Sequence, residues 1–242
     1  MADTLVLLRH GQSQANAEGL FTGLLNVSLT DVGQMEAAYA AELLNEAEIW
    51  PTVWFSSPLK RAADTTAIMH DKMFHSPSRV TYDWRLAERN YGALTSRSKR
   101  DVMAEHGEEQ FLTWRRSMNV APPPMSRAQQ RSLGRIPEDM GRTEALTDVI
   151  ERVSESYEQL ILPELRRTGC VLVSSHGNAL RALCTLLDEL TDTEVRALNL
   201  PTGQPLIYEI TEDGRPVVRG GTYLDPERAY PAAEQIAREG GT

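Results

Sequence analysis

Two cysteines, Cys170 and Cys184, are all that the 242 residues contain. They form no CxxC pair, no zinc-type spacing and no disulfide framework. Cys170 opens an apolar run and Cys184 falls on an expected helix, so both read as buried bystander thiols. A reducing, cytoplasmic setting is therefore expected. Long apolar runs are also missing. None approaches the ~20 residues of a membrane span, and Met1 to Thr4 is too short and polar for a signal peptide. Positive charge is in short supply: 25 Lys and Arg against 34 Asp and Glu give a net charge of −9. Nonspecific attraction to nucleic acid or anionic membrane is thus excluded, although a local basic pocket is not. Internal repeats and low-complexity tracts are absent. What remains is an ordinary globular composition, 41% hydrophobic and 24% charged, at a length that fits one sizeable domain over residues 1–242.

Along the chain, short β-rich apolar runs alternate with longer helical patterns. Strands are expected at Thr4–Leu8, Thr52–Ser56, Arg79–Trp84 (the weakest), Cys170–Ser174 and Pro205–Ile210. A helix starts at Asp31 behind the N-cap Thr30, with Val32, Met35, Ala38, Tyr39, Leu43 and Leu44 at helical spacing. Further helices are expected at Leu59–Met69 after Pro58, Glu144–Arg167 before Gly169, Asn178–Leu190 and Thr193–Leu198. Residues from about 93 to 142 break the alternation. Two helical pieces fit there, Lys99–His106 and Glu109–Ser117, followed by the proline run VAPPPM. This block reads as an insertion over one face. A tail from about 211 to 242 carries glycines and a weak helical stretch near Pro231–Arg238. Strands separated by helices imply right-handed crossovers, and hence a three-layer α/β/α fold with a mostly parallel central sheet.

In such sheets ligands bind beyond the carboxyl ends of the strands. Four strand ends here deliver polar groups: Arg9 and His10, then Arg61 in SSPLKRA, Glu88 in LAERNYG, and His176 in SSHGNALRA. Their joint chemistry is phosphoryl transfer. A neutral imidazole is a competent nucleophile toward phosphorus, and nearby guanidinium groups disfavour its protonation. Arginines match phosphate oxygens in bidentate fashion. His176 stands just ahead of a helix whose N-terminal amides favour an anion. A carboxylic acid such as Glu88 suits proton delivery to a leaving alkoxide. A single RHG after a strand is compatible with a plain polar turn. A second HG at another strand end is what argues for a site.

The segments LVLLRHGQSQAN, FTGLLNVSLTDVG, SSPLKRA, LAERNYGAL, EEQFLTWRRSMNVAPPPM, SSHGNALRALC and LNLPTGQPLIYEI resemble those of the cofactor-dependent phosphoglycerate mutases, within the histidine phosphatase superfamily. The resemblance is collinear from about Leu5 to Ile210, with a weaker echo in the tail. It implies a phosphoglycerate mutase-like fold, His10 as the residue that becomes phosphorylated, Arg9, Arg61 and His176 around the phosphate, and Glu88 as proton donor and acceptor. Asn16, Thr22, Gly23, Tyr91, Lys99, Gly177 and Asn178 match substrate or phosphate contacts. Arg115 and Arg116 match the pair that grips the substrate's carboxylate side. Priming by 2,3-bisphosphoglycerate, no metal, transfer between the 3- and 2-positions of glycerate, and a homodimer or homotetramer are further implications. Adjacent arginines on a helix point about 100° apart, so one is expected to meet the carboxylate and the other a phosphate. The glycines of GGTYLDPERAY are expected to hinge a closing segment that keeps water from a phosphohistidine.

Several positions depart from that family. Leu24 and Ala15 stand where tryptophans are usual, Asn90 replaces the histidine of ERHYG, and TSRSK, with Ser96 and Ser98, replaces QGLNK. These changes fall around the pocket mouth. Two alternatives therefore stay open beside the mutase: a phosphatase or specialised mutase on another small phosphorylated or phosphonylated carboxylate, and a non-catalytic binding module. His70, His75 and His106 match nothing catalytic and are expected at the surface.

Overall fold

The computed structural model describes residues 2–75, 79–134 and 140–238. Its frame is a six-stranded sheet in the order β3-β2-β4-β1-β5-β6. The strands are β1 (Asp3–Arg9), β2 (Val53–Ser56), β3 (Arg79–Tyr82), β4 (Cys170–Ser175), β5 (Leu206–Ile210) and β6 (Thr222–Tyr223). The first four pair in parallel, while β5 runs antiparallel to both β1 and β6. The alternation of Leu5 and Leu7 with Val6 and Leu8 along β1 feeds two separate cores, one on each face of the sheet.

One face is covered by α7 (Leu146–Ser156), α8 (Leu162–Thr168) and α9 (Gly177–Asp188), the other by α2 (Asp31–Glu46) and α3 (Lys60–Lys72). Thr30 caps α2 as expected, accepting the Gly33 amide at 3.1 Å. The single long helix expected over Glu144–Arg167 is interrupted by a π-helical turn at Tyr157–Ile161. The reason lies in Pro163, which has no N–H to continue the ladder; the wider turn ahead of it reseats the chain. The remaining helices are α1 (Gln14–Ala17), α4 (Lys99–His106), α5 (Glu108–Arg116), α6 (Arg127–Ser132), α10 (Asp192–Ala197) and α11 (Pro226–Arg238). Strand β6 and the full length of α11 were not foreseen from the sequence. Residues 135–139 of the expected insertion lie outside the described residues.

Sheet register sets the functional edge. Arg9 pairs with Ser175, and Ser56 with Ser174. The chain leaves all three strands at nearly one level: the His10 amide still donates to Ser175 and the Ser57 amide to Ser174, both at 3.0 Å. His10, Ser57 and His176 are side by side because of that register. The RHG turn itself is locked against α2. A Cβ on Gly11 would lie 2.1 Å from the Gly33 carbonyl oxygen, and one on Gly33 would lie 2.1 Å from that of Gln12, so both positions require glycine.

Candidate active site

Beyond the carboxyl ends of the parallel strands lies a narrow cavity of about 20 Å³, lined by Arg9, His10, Asn16, Thr22, Gly23, Arg61, Glu88, Tyr91 and Lys99 among others. The His10 ring is buried. Its Nδ1 is 2.6 Å from the Gly11 carbonyl oxygen, which can only accept, so Nδ1 carries the proton. Nε2 is thereby left with a lone pair, and Arg61 Nε donates to it at 3.1 Å. The other two Arg61 nitrogens donate to the Leu25 and Gly23 carbonyls at 2.7 and 2.9 Å. Burial pushes the His10 pKa well below its ordinary 6.5, and the Arg61 and Arg9 charges push it further the same way. The sequence reading assigned that effect to guanidinium groups; desolvation is the larger cause.

His176 stands edge-on to His10, with ring centroids 4.9 Å apart. Its Nε2 is 2.7 Å from Ser57 Oγ, while Nδ1 has no hydrogen-bond partner. Burial, then Arg61, holds its pKa well below 6.5 as well. Arg9 donates to the Leu200 carbonyl at 2.7 Å and keeps Nε unpartnered and buried. Burial lowers Arg61 to about 10. Neither cation makes an ion pair among the described residues, and the Glu88 charge offsets their burial only in part, a costly arrangement.

The Glu88 carboxyl is positioned by its Oε1, which accepts the Arg89 amide at 2.7 Å, the Asn178 amide at 3.3 Å and the Asn178 side chain at 2.9 Å. Its loop is fixed from behind by Arg152. That side chain donates to both Glu144 oxygens, at 2.8 and 3.1 Å, and to the carbonyls of Arg85, Ala87 and Glu88. Glu144 in turn accepts the Asn90 amide at 2.7 Å.

The other expected site residues fall in two groups. Asn16, Thr22, Gly23, Tyr91 and Lys99 line the cavity with His10. Gly177 opens α9 directly after His176, and Asn178 binds Glu88 and the Tyr91 hydroxyl rather than standing free. Arg115 and Arg116 are both buried but diverge. The Arg115 guanidinium lies over Phe111 and Phe21 at 5.2 and 5.8 Å, whereas Arg116 donates to Asn199 and Leu198. Burial lowers Arg115 to about 10 and Arg116 in the same direction. Sequence reasoning missed Arg89, Arg181, Ser57 and Glu36. Arg89 lies beside Glu88 in ERNYG, stacks 4.5 Å over Tyr91, and leaves Nε and Nη1 unpartnered. Glu36 ties the Gln12 amide to the Thr202 hydroxyl, at 2.6 and 3.0 Å. Ser57 had one readable signal, its place immediately after β2.

The rim departures have visible consequences. Asn90 accepts the Gly92 amide and donates to Gly141, so it braces the loop rather than facing the cavity. Leu24 packs with Ala87 and Met140. Ser96 adopts a φ of 69°, a left-handed conformation that costs an L-residue about 1–2 kcal/mol. Over the mouth, a second cavity of about 350 Å³ shares Arg9, Asn16 and Lys99 with the first and is roofed by Ala232, Gln235 and Ile236 of α11. The helix is moored by Asp225, which accepts the Tyr39 hydroxyl at 2.7 Å, and by Arg228 over the Tyr39 ring at 4.3 Å. Among the described residues no cluster of His, Cys, Asp and Glu is arranged to hold a metal ion. His75 and His106 are exposed and His70 is part-exposed, with the His70 and His106 rings packed on Trp54 and Trp114.

The model of the histidine phosphatase superfamily (branch 1) matches residues 5–221. A 2,3-bisphosphoglycerate-dependent phosphoglycerate mutase of Nocardioides sp. is 44% identical over 246 residues, covering 99% of this chain and 100% of that protein. One from Clavibacter sepedonicus is 47% identical, covering 98% and 97%, and one from Mycobacterium tuberculosis is 45% identical over 99% of both. Among solved structures, a mycobacterial hydrolase superposes with a TM-score of 0.72 at 24% identity, covering 92% of this chain and all of that one. A mycobacterial glucosyl-3-phosphoglycerate phosphatase with bound VO3 gives 0.69 at 24%, over 88% and 96%; at that identity the likeness is one of fold. The chain belongs to the histidine phosphatase superfamily, and within it to the family of the 2,3-bisphosphoglycerate-dependent phosphoglycerate mutases.

Proposed function

We propose that the protein is a phosphoglycerate mutase that interconverts 3-phosphoglycerate and 2-phosphoglycerate through a phosphohistidine at His10. The observation that supports it most is the His10 ring. Its Nε2 is unprotonated, its pKa is depressed, it lies in one small cavity with two arginines and a carboxyl group, and the second histidine ring stands beside it. The relatives' names carry the bisphosphoglycerate requirement. That compound supplies the priming phosphoryl group. Arg9, Arg61 and Lys99 together in the cavity, with the buried Arg9 Nε unpartnered among the described residues, fit a ligand with several anionic groups.

In this reading His10 Nε2 attacks the phosphorus in line and the N–P bond forms as the P–O bond breaks. Arg9, Arg61 and His176 neutralise the equatorial oxygens, which is most of what such a transition state asks of the protein. Glu88 gives its proton to the departing alkoxide and retrieves one from the hydroxyl that takes the phosphoryl group back. Arg115 and Arg116 hold the carboxylate side while the intermediate turns. Helix α11 limits the access of water to the phosphohistidine. A cytoplasmic location and self-association to a dimer or tetramer belong to the same reading, the latter checked by light scattering.

Purified enzyme given 3-phosphoglycerate, with and without 2,3-bisphosphoglycerate, tests it. Isomerisation that needs the primer, with acid-labile phosphate on His10 and none in His10→Asn, is expected. Steady release of inorganic phosphate without isomerisation would refute the mutase reading and favour a phosphatase.

A further inference from the structure

We propose that Arg181 is a positioning residue for proton transfer: it fixes the Asn178 carboxamide, and through it the Glu88 carboxyl. The inference rests on the reading of Glu88 as acid and base. Arg181 lies one turn after Asn178 on α9 and is completely buried. Its Nη1 donates to Asn178 Oδ1 at 3.0 Å and its Nη2 to the Val195 carbonyl at 2.5 Å, while Nε has no partner. Both acceptors are neutral oxygens, and no carboxylate pairs with this cation among the described residues. Burial lowers its own pKa to about 9, and the charges of Arg116 and Arg89 push the same way against the weaker opposing pull of Tyr91 and Glu88. A buried, unpaired guanidinium is an expensive way to fill space that an apolar chain of the same length would fill more cheaply. Its presence calls for a role beyond packing.

The role follows from the symmetry of an amide. The Asn178 side chain can present its oxygen or its nitrogen toward Glu88. Arginine has donors only, so an oxygen must face Arg181, and the NH2 group must then face the other way. There it donates to Glu88 Oε1 at 2.9 Å and to the Tyr91 hydroxyl at 3.0 Å. The amides of Arg89 and Asn178 reach the same Oε1. With three donors on Oε1, that oxygen is unsuited to carry a proton. Oε2 takes none of these three bonds, and it is the oxygen left to deliver the proton within the cavity that Glu88 shares with His10. During transfer the Oε2–H bond breaks, the proton joins the leaving alkoxide, and the carboxylate that remains is already held by its other oxygen. A flipped amide would set oxygen against oxygen and turn the carboxyl away from this geometry.

The test uses leaving-group dependence, which a merely structural residue would not alter. Phosphorylation of His10 is followed by rapid quench from two donors at saturation. One is 2,3-bisphosphoglycerate, whose alkoxide needs a proton; the other is p-nitrophenyl phosphate, whose phenolate leaves without one. Arg181→Met is expected to slow the first by about tenfold or more, part of what a general acid contributes, and the second by no more than about twofold. Equal slowing of both donors, or slowing of neither, overturns the proposal. Should Arg181→Met not fold, Asn178→Leu removes the amide while leaving the arginine in place. The same selective loss is expected there, and its absence is equally fatal. Glu88→Gln serves as the control. If it too shows no preference for the aryl donor, the acid reading of Glu88 fails and the positioning role falls with it. If it shows the preference and Arg181→Met does not, only the role of Arg181 is refuted.

Discussion

Acidification from about pH 7 to about pH 5.5 should destabilise this protein through its two active-site histidines, before its carboxylates take part. His10 and His176 are held well below 6.5, with burial as the first cause and the Arg61 charge as the second in both. In the unfolded chain each titrates near 6.5. Between the two values the unfolded state binds a proton that the folded state refuses, so stability falls as pH falls. The contribution is complete above the unfolded pKa and drains away below it. Integrated over this interval, each histidine costs at most about 1 kcal/mol and the pair about 2 kcal/mol. Carboxylates with lowered values, such as Glu194 at about 2, act in the same direction but only below about pH 4.5. Urea unfolding of the wild type and of His10→Gln/His176→Gln at the two pH values measures the difference. The wild type should lose about 2 kcal/mol and the double variant less than about half of that. Equal losses in the two proteins would show that the rings are not buried neutral, and the nucleophile argument would lose its footing. Phosphorylation of His10 should meanwhile persist across the interval in whatever protein remains folded, because the folded-state ring stays neutral.

Three further outcomes are expected. Arg152→Met should leave the Glu144 carboxylate buried without its partner, costing about 3–5 kcal/mol and a melting temperature lower by on the order of 10 °C; a drop of less than about 3 °C in a thermal scan would contradict the pairing seen here. Vanadate at about a hundred times its Kd should stabilise the fold by about 2.7 kcal/mol, since it relieves buried cations, and Arg61→Gln should remove most of that shift in thermal unfolding. A chain ending at Asp225 lacks the roof formed by α11, so its phosphohistidine should hydrolyse several-fold faster while the melting temperature stays near that of the wild type, as only Ala229 of that helix is completely buried; an unchanged hydrolysis rate would remove α11 from the mechanism.

Much of the site was legible because a strand's end is legible. The β-rich runs ending at Leu8, Ser56 and Ser174 placed their following residues on one edge by topology alone, and the register then set His10 beside His176. The carboxyl of Glu88 came from the same rule. What stayed hidden depends on contacts between segments distant in sequence. Nothing in HGNALRA says that Arg181 turns inward to Asn178, since an arginine on a helix is usually solvated. Glu36 lies 24 residues from Gln12 and 166 from Thr202, and only the folded chain joins them. The divergence of Arg115 and Arg116 was foreseen as an angle but not as a destination. Asn199, which receives Arg116, carries no motif. The π-turn at Tyr157–Ile161 could have been read from Pro163, whose missing N–H was passed over inside an otherwise unbroken helical pattern.

The charge balance of the molecule ties these features together. The chain as a whole carries −9, yet Arg9, Arg61, Arg89, Arg115, Arg116 and Arg181 are all buried around one end of the sheet. The Glu88 carboxyl is buried among them. Such an interior lowers the stability of the empty fold, because one carboxyl among six desolvated cations repays only part of their dehydration. The same deficit makes the pocket selective. A neutral ligand of the right shape leaves the guanidinium groups unsatisfied, and a singly charged one satisfies only some of them. A small molecule with two or three anionic groups satisfies the most and gains most from the low dielectric. Burial is the first cause of the depressed histidine pKa values, and the arginines that await the substrate add to it, keeping the rings from taking protons. Nucleophilicity of His10 and affinity for a polyanion are therefore one electrostatic arrangement, and substitutions that relax it should weaken both together.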